Sequence, residues 1–105
     1  MTWHKIAESS KELFPDNIFN LVELEVAGKK ICLLKYRDSL FGCAAKCPHA
    51  GGKMAEGYLD TLGNIVCPSH RYKFNIKNGR NTSGEGYFLK IYAIEEREDG
   101  IFIGM

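Results

Sequence analysis

Short runs of alternating apolar and polar residues fill the first half of the chain. WHKIA predicts a first strand, and the polar ESSKELF after it leaves room for about one turn of helix. From Phe19 the sequence is typical of a hairpin, with strands in NLVELEV and ICLLKYR and a turn near Ala27 and Gly28. Asp38 and Ser39 predict a second turn, which leads into LFGCAAK.

The second half of the chain continues this pattern. NIVCPSH and YKFNI predict short strands, and the Asn78-Gly79 pair after them is typical of a type I′ turn. YFLKIYAIEERE and IFIG flank a second pair of that kind, Asp99-Gly100. Because turns are closely spaced between β-rich segments, the sequence predicts an all-β sandwich or barrel.

Composition narrows the class of protein. The chain has 105 residues, 45% of them hydrophobic, which fits one globular domain with its own core. A net charge of +1 gives no reason to expect nucleic acid. No apolar run approaches the roughly 20 residues of a membrane span, and the opening segment lacks the apolar core of a signal peptide. We therefore expect a cytoplasmic protein with no nucleic-acid or membrane partner. In a reducing cytosol, metal binding is a better first hypothesis for its four cysteines than disulfides.

Two short motifs carry the candidate chemistry. CPHAGG begins at Cys47 and CPSH begins at Cys67, so each motif holds one cysteine and one histidine. Thiolates and imidazoles bind both zinc and iron, but zinc sites usually separate paired ligands by two to four residues. Only Pro48 separates Cys47 from His49. This spacing favours a wider group, a two-iron, two-sulfide cluster to which each loop gives one ligand per iron.

The two motifs, with HRYKFNIKNG after the second, resemble the cluster-binding loops of the Rieske family. The resemblance extends more loosely over the whole chain. It implies an antiparallel β-sandwich with an inserted cluster-binding subdomain. Here the subdomain is expected at about residues 44–84, and the base domain at about 1–43 and 85–105.

The resemblance also implies a role for each ligand. Cys47 and Cys67 would be the thiolate ligands of a buried iron. His49 and His70 would bind the outer iron through Nδ1 and expose their other ring edge to solvent. The Gly51-Gly52 pair would let the backbone fold tightly over the cluster.

Two departures from the high-potential members of the family bear on the reduction potential. Those proteins carry an extra cysteine in each loop, joined as a disulfide, where this chain has Gly52 and Ser69. They also place serine and tyrosine hydroxyls two and four residues after the second histidine, where this chain has Tyr72 and Phe74. Because hydrogen bonds to the sulfurs stabilise the reduced cluster, their loss predicts a potential near roughly −150 mV and not near +300 mV.

Charge and the remaining cysteines give weaker indications. The segment 44–84 holds six basic and two acidic residues, a surplus that either steers an acidic partner or is an ordinary solvated surface. If Asp38 and Ser39 form the hairpin turn, Cys32 lies opposite Ala45 and Cys43 opposite Leu34. The two thiols are then diagonal neighbours about 7 Å apart, and we expect buried, unlinked cysteines. The other aromatic side chains are expected in the core and the sheets, namely Tyr36, Phe41, Tyr87, Phe88 and Tyr92.

The resemblance suggests a carrier and not an enzyme by itself. In the first hypothesis the protein is a Rieske ferredoxin that passes single electrons from a flavin-dependent ferredoxin reductase to a terminal ring-hydroxylating oxygenase. In the second it is the small Rieske-like subunit of an assimilatory nitrite reductase and partners the large subunit. A third possibility, a zinc-bound or metal-free structural module, requires the ligand pattern to be coincidental.

Overall fold

A computed structural model describes residues 1–15, 20–49 and 51–105, which form strands with one short helix. In chain order the elements are β1 (Trp3–Ala7), α1 (Ser10–Leu13), β2 (Leu21–Val26), β3 (Lys29–Tyr36), β4 (Ser39–Ala44), β5 (Tyr58–Leu59), β6 (Asn64–Val66), β7 (Lys73–Asn75), β8 (Ile91–Arg97) and β9 (Gly100–Gly104). A 3₁₀ turn at Met54–Glu56 precedes β5. Strands form within every predicted segment, but residues 67–70 and 87–90, which the prediction included, lie outside them, and β5 was not predicted. Phe19, the expected start of the first hairpin, lies outside the described residues. Within the described part of the chain, no helix is long and apolar enough to cross a membrane.

The strands form two antiparallel sheets. The larger sheet has six strands in the order β1-β9-β8-β4-β3-β2, and the smaller has three in the order β5-β6-β7. The expected all-β class of antiparallel sheets is confirmed. The small sheet lies between β4 and β8 in the chain, where the inserted subdomain was expected. Our division into a base domain (about 1–43 and 85–105) and a subdomain (about 44–84) remains a prediction.

Strand β3 separates two apolar cores. Its four central residues, Ile31 to Leu34, are all buried, which explains why this stretch is continuously apolar and does not alternate. Ile31 and Leu33 pack in one core with residues of β1, β2 and β9. Cys32 and Leu34 pack in the other, which also contains Cys47, Cys67 and residues of β6 and β7. The second core therefore links the large sheet to the candidate ligands.

The turn between β3 and β4 lies one residue earlier than predicted. Arg37 and Asp38 have φ values of 50° and 63°, so they are the two central residues of the turn. This shift places Cys32 directly opposite Cys43, and the prediction that they are diagonal neighbours is wrong. Both thiols are fully buried and are not joined in a disulfide, as expected.

The turns at Asn78-Gly79 and Asp99-Gly100 differ from the predicted type I′ turns. A type I′ turn needs positive φ at both central residues, but Asn78 and Asp99 do not have it. At the first site the Asn78 side chain accepts a hydrogen bond from the Arg80 backbone N–H at 2.9 Å. At the second, Arg97 pairs with Gly100, so the turn consists of residues 98 and 99. Turns form at both places, but neither is type I′.

The two ends of the chain lie side by side. The Thr2 backbone N–H donates to the Met105 carbonyl at 2.9 Å, and the Met105 N–H donates to the Thr2 carbonyl at 2.9 Å. These hydrogen bonds continue the pairing of β1 with β9.

We expect Cys43 to make the fold sensitive to alkaline pH. A side-chain hydrogen bond with Cys32, and then burial, raise the pKa of Cys43 far above its ordinary value of 9.0. Above about pH 9 the unfolded thiol loses its proton while the folded thiol keeps it, so the stabilising contribution is complete below that pH and declines above it. The expected slope is about 1.4 kcal/mol per pH unit. The Tm of Cys43→Ala should therefore fall less steeply than that of the wild type between pH 9 and 10.5.

Val66→Ala is the control for this experiment, because it also truncates a fully buried side chain but removes no titrating group. Its Tm should run parallel to that of the wild type across the pH range. If the Tm of Cys43→Ala also ran parallel to that of the wild type, Cys43 would not be the cause of the alkaline loss of stability.

Candidate metal centre

The first motif forms a closed loop after β4. The Cys47 N–H donates to the Gly52 carbonyl at 2.8 Å, and the Gly51 N–H donates to the Cys47 carbonyl at 3.0 Å. Gly51 has a φ of +72°, a conformation that favours glycine. These bonds turn the chain back on itself within six residues, so the Cys47 side chain is buried while Pro48 is exposed. Ala50 lies outside the described residues.

The second motif repeats the same backbone pattern after β6. The Cys67 N–H donates to the Tyr72 carbonyl at 2.9 Å, and the Arg71 N–H donates to the Cys67 carbonyl at 3.0 Å. Arg71 has a φ of 60°, so it occupies the left-handed position that Gly51 occupies in the first loop. A non-glycine residue pays for this conformation in strain, which indicates that the loop geometry is imposed by its surroundings. The residue type at this position does not predict the left-handed conformation.

The tips of the two loops touch. The ring centroids of His49 and His70 lie 4.8 Å apart, with the rings at 72° to each other. A Cβ atom added to Gly52 would lie 2.5 Å from the Ser69 Oγ and 3.1 Å from the Cys67 Sγ. Positions 52 and 69 therefore face each other, and Gly52 leaves the space that this close approach needs. The structure brings the two loops that carry the four predicted ligands together, with both cysteines buried, His49 half-buried and His70 exposed.

His49 has an unusual polar atom. Its Nδ1 is buried and has no hydrogen-bond partner among the described residues. A buried polar atom without a partner costs free energy, so such an atom indicates a missing ligand. Within the described ranges no three His, Cys, Asp or Glu side chains converge as they would around a single ion. A two-iron cluster does not need three protein ligands around one ion, because each iron takes only two ligands from the protein.

Aromatic rings cover one histidine but not the other. Tyr72 stacks on His49 with 4.2 Å between centroids, and its hydroxyl lies 3.4 Å from the His49 Nε2. Tyr87 approaches the same imidazole, with 5.3 Å between centroids. His49 is half-buried whereas His70 is exposed. His70 is therefore the more accessible imidazole, and the expectation that both histidines expose their outer ring edge stays a prediction.

Two of the aromatic residues assigned to the core are on the surface. Tyr87 is 38% exposed and Phe88 is 67% exposed. The sequence placed them in a strand, but the structure begins β8 only at Ile91. Tyr87 is thus a residue of the site that sequence reasoning missed, because its position depends on a loop with no recognisable pattern.

The family model described as Rieske [2Fe-2S] domain matches residues 2–87. The chain belongs to the Rieske family. A curated relative, the 3-phenylpropionate/cinnamic acid dioxygenase ferredoxin subunit of Photorhabdus laumondii subsp. laumondii, is 27% identical over 74 residues, 70% of each chain. Another, the cholesterol 7-desaturase nvd of Bombyx mori, is 26% identical over an alignment 108 residues long, which covers 96% of this chain but only 23% of that protein.

Solved structures share the Rieske fold of this chain. The ferredoxin of carbazole 1,9a-dioxygenase from Nocardioides aromaticivorans IC177 superposes with a TM-score of 0.82 at 19% identity, covering 99% of this chain and 98% of that one. A chain from a complex of reduced oxygenase and oxidized ferredoxin in carbazole 1,9a-dioxygenase gives a TM-score of 0.81 at 21% identity, covering 97% and 92%. At these identities the likeness shows the fold.

The cofactor of this Rieske protein is a Rieske-type [2Fe-2S] cluster. The residues at the loop tips fit such a group in kind, because they offer two buried thiols and two imidazoles. They fit it in detail as well, because the partnerless Nδ1 of His49 is the kind of buried atom that a metal would satisfy. Pro48 and Pro68 are exposed on the loops and need not touch the metal.

Proposed function

We propose that this Rieske protein is a one-electron carrier of the ferredoxin type. Cys47 and Cys67 are the ligands of the inner iron, and His49 and His70 bind the outer iron. The observation that carries the proposal is the buried, partnerless Nδ1 of His49, which lies at the tips of two loops whose thiols are both buried. When bound, the cluster accepts and releases one electron at a time.

The protein buries the two cysteines of the proposed site and leaves one of its histidines accessible to solvent. Cys47 and Cys67 are 3% and 1% exposed and lie in an apolar core, which excludes water from the thiolates. The exposed ring of His70 lies on the surface, where a partner could approach. Because the thiols are buried and one imidazole is exposed, the site suits transfer of an electron between proteins.

The proposed partners are a flavin-dependent ferredoxin reductase as donor and a terminal oxygenase as acceptor. The acceptor is supported by the Photorhabdus relative, a dioxygenase ferredoxin subunit, and by the fold shared with a chain from an oxygenase–ferredoxin complex. The donor rests on the family resemblance alone. The cytoplasm is the proposed compartment, because all four cysteines are thiols.

A second candidate function is the Rieske part of a larger oxygenase. It is favoured by the Bombyx desaturase, which matches almost the whole of this chain over less than a quarter of its own length. In that case the acceptor would belong to the same polypeptide or assembly. The protein would then co-purify with a catalytic chain, whereas a ferredoxin would exchange electrons as a separate molecule.

The proposed potential is at the low end of the Rieske range, near roughly −150 mV. Phe74 is fully buried in the core that contains both cysteines, at the place where high-potential members carry a tyrosine. The Tyr72 hydroxyl lies beside the His49 Nε2, an imidazole nitrogen and not a sulfur. Neither position therefore provides a hydroxyl donor to a sulfur.

We expect Phe74→Tyr to raise the midpoint potential by on the order of 50–100 mV. The new hydroxyl can donate to a sulfur, and a hydrogen bond to a charged group contributes about 1.5–3 kcal/mol before the cost of adjustment in the core. Phe41→Tyr is the control, because Phe41 packs against the same core from β4, outside the loops. An unchanged midpoint in a folded, fully loaded Phe74→Tyr protein would count against this explanation of the potential.

A redox titration followed by EPR on anaerobically prepared protein tests the proposed function. The expected result is one reducible cluster with the low average g value of mixed histidine and cysteine ligation, followed by reoxidation on addition of a terminal oxygenase. A loaded cluster that no oxygenase reoxidises would reject the carrier role, and zinc or no metal would reject the cluster itself.

A further inference from the structure

Residues 81–87, which we call the third loop, are tied to β7 through one asparagine. The Asn81 Nδ2 lies 3.0 Å from the Lys73 carbonyl, and the Asn81 Oδ1 accepts from the Gly86 N–H at 2.8 Å. The Thr82 N–H donates to the same Lys73 carbonyl at 2.8 Å, and the Lys73 N–H donates to the Ser83 Oγ at 3.0 Å. The first three residues of the loop are therefore held on β7, and its far end is held on Asn81 through the Gly86 N–H.

The Glu85 carboxylate tightens the loop from inside. It accepts hydrogen bonds from the Ser83 hydroxyl and from the Asn81 Nδ2, which lies 2.9 Å away. These two bonds lower the pKa of Glu85, so the carboxylate is ionised at neutral pH and its hydrogen bonds are strong. Gly84 and Gly86, with φ values of +91° and +87°, allow the chain to turn between these anchors.

The third loop places the ring of Tyr87 against the site. Tyr87 lies 5.3 Å from His49 and 5.8 Å from Tyr72, measured between ring centroids. Together the two tyrosines leave His49 half-buried, while His70 at the neighbouring loop tip is exposed. The two histidines thus have the same chemistry but different access.

We propose that the third loop is a cover that holds Tyr87 over His49, so that partners meet the site through the edge of His70. Tyr87 is a positioning residue and Asn81 anchors it. This inference rests on the proposed ligand set, because it assigns different roles to two histidines of one centre. The cover blocks access to the site through His49 and leaves access through His70, so a partner approaches from the His70 side.

Histidine footprinting on the cluster-loaded protein tests the cover. The probe is diethyl pyrocarbonate, and modified peptides are quantified by mass spectrometry with His4, on the distant β1, as the internal reference. In the wild type we expect His70 to react about tenfold faster than His49. Tyr87→Ala and Asn81→Ala should each remove most of this difference by exposing His49.

Two matched variants separate the cover from a general loosening. Tyr87→Phe keeps the ring and should keep His49 protected, while Phe88→Ala removes the exposed neighbouring ring and should change neither histidine. Equal reactivity of His49 and His70 in the wild type would overturn the proposal. So would a Tyr87→Ala protein that matches the wild type.

The EPR signal of each sample, recorded before modification, separates failure of the cover from failure of the proposed function. A normal cluster signal with an unprotected His49 rejects only the cover. Absence of the cluster signal in the wild type rejects the proposed ligand set, and the cover with it.

Discussion

We expect the replacement of Cys67 with alanine to abolish binding of the [2Fe-2S] cluster. The thiol is 1% exposed and directly follows β6, so the rigid end of a strand fixes its position. The core around it contains apolar side chains such as Ile65 and Phe74, and the two cysteines of that core outside the loops, Cys32 and Cys43, lie on β3 and β4. Iron and sulfide analysis, visible absorption and EPR of the purified variant should all show that the cluster is missing.

Cys32→Ala is the matched control for this loss. Cys32 is fully buried in the same core as Cys67, but it lies on β3, outside both loops. Its replacement should cost some stability and leave the EPR signal unchanged. If Cys67→Ala retained a normal two-iron signal, the proposed ligand set would be wrong, because the four ligands leave no spare donor.

Replacing Gly79 with alanine should be among the most damaging substitutions outside the proposed ligands. Gly79 has a φ of +77°, and a Cβ added there would lie 2.0 Å from the Leu89 carbonyl oxygen. The Leu89 N–H donates to the Gly79 carbonyl at 2.9 Å, so the two backbones cannot separate without losing this bond. We expect a loss of at least about 3 kcal/mol, or a fall in Tm of more than about 12 °C.

Gly28→Ala separates the steric clash from backbone strain. Gly28 has a similar φ of +82°, but nothing lies within 4 Å of an added Cβ. This variant should lose only the conformational cost of about 1 kcal/mol. Thermal unfolding of the two variants side by side is the measurement. If the Tm of Gly79→Ala fell no further than that of Gly28→Ala, the close contact with Leu89 would not be part of the folded state.

The sequence predicted the chemistry of the site better than its surroundings. Cysteine and histidine at CxH and CxxH spacing restrict the possible cofactors strongly, because few groups take both ligand types in this arrangement. Arg71 shows the limit of such reasoning. Its left-handed conformation completes a loop with the same hydrogen bonds as the first, yet no glycine marks the position.

The strands were predictable from alternation, but their register was not. The turn between β3 and β4 has positive φ at Arg37 and Asp38, which are not strong sequence signals for this conformation. A turn displaced by one residue moves each cross-strand partner by two, which is why Cys32 faces Cys43. Tyr87 was missed for a different reason, because its position is set by side-chain hydrogen bonds of Asn81 and not by strand periodicity.

The paired chain ends would allow the chain to be joined there and opened at another turn. Because Thr2 and Met105 exchange backbone hydrogen bonds, a short linker could join them without disturbing β1 or β9. New ends could then be opened at the exposed turn of Ala27 and Gly28, on the hairpin of β2 and β3. Such a circular permutant would keep both loops of the site on one uninterrupted segment, residues 28–105.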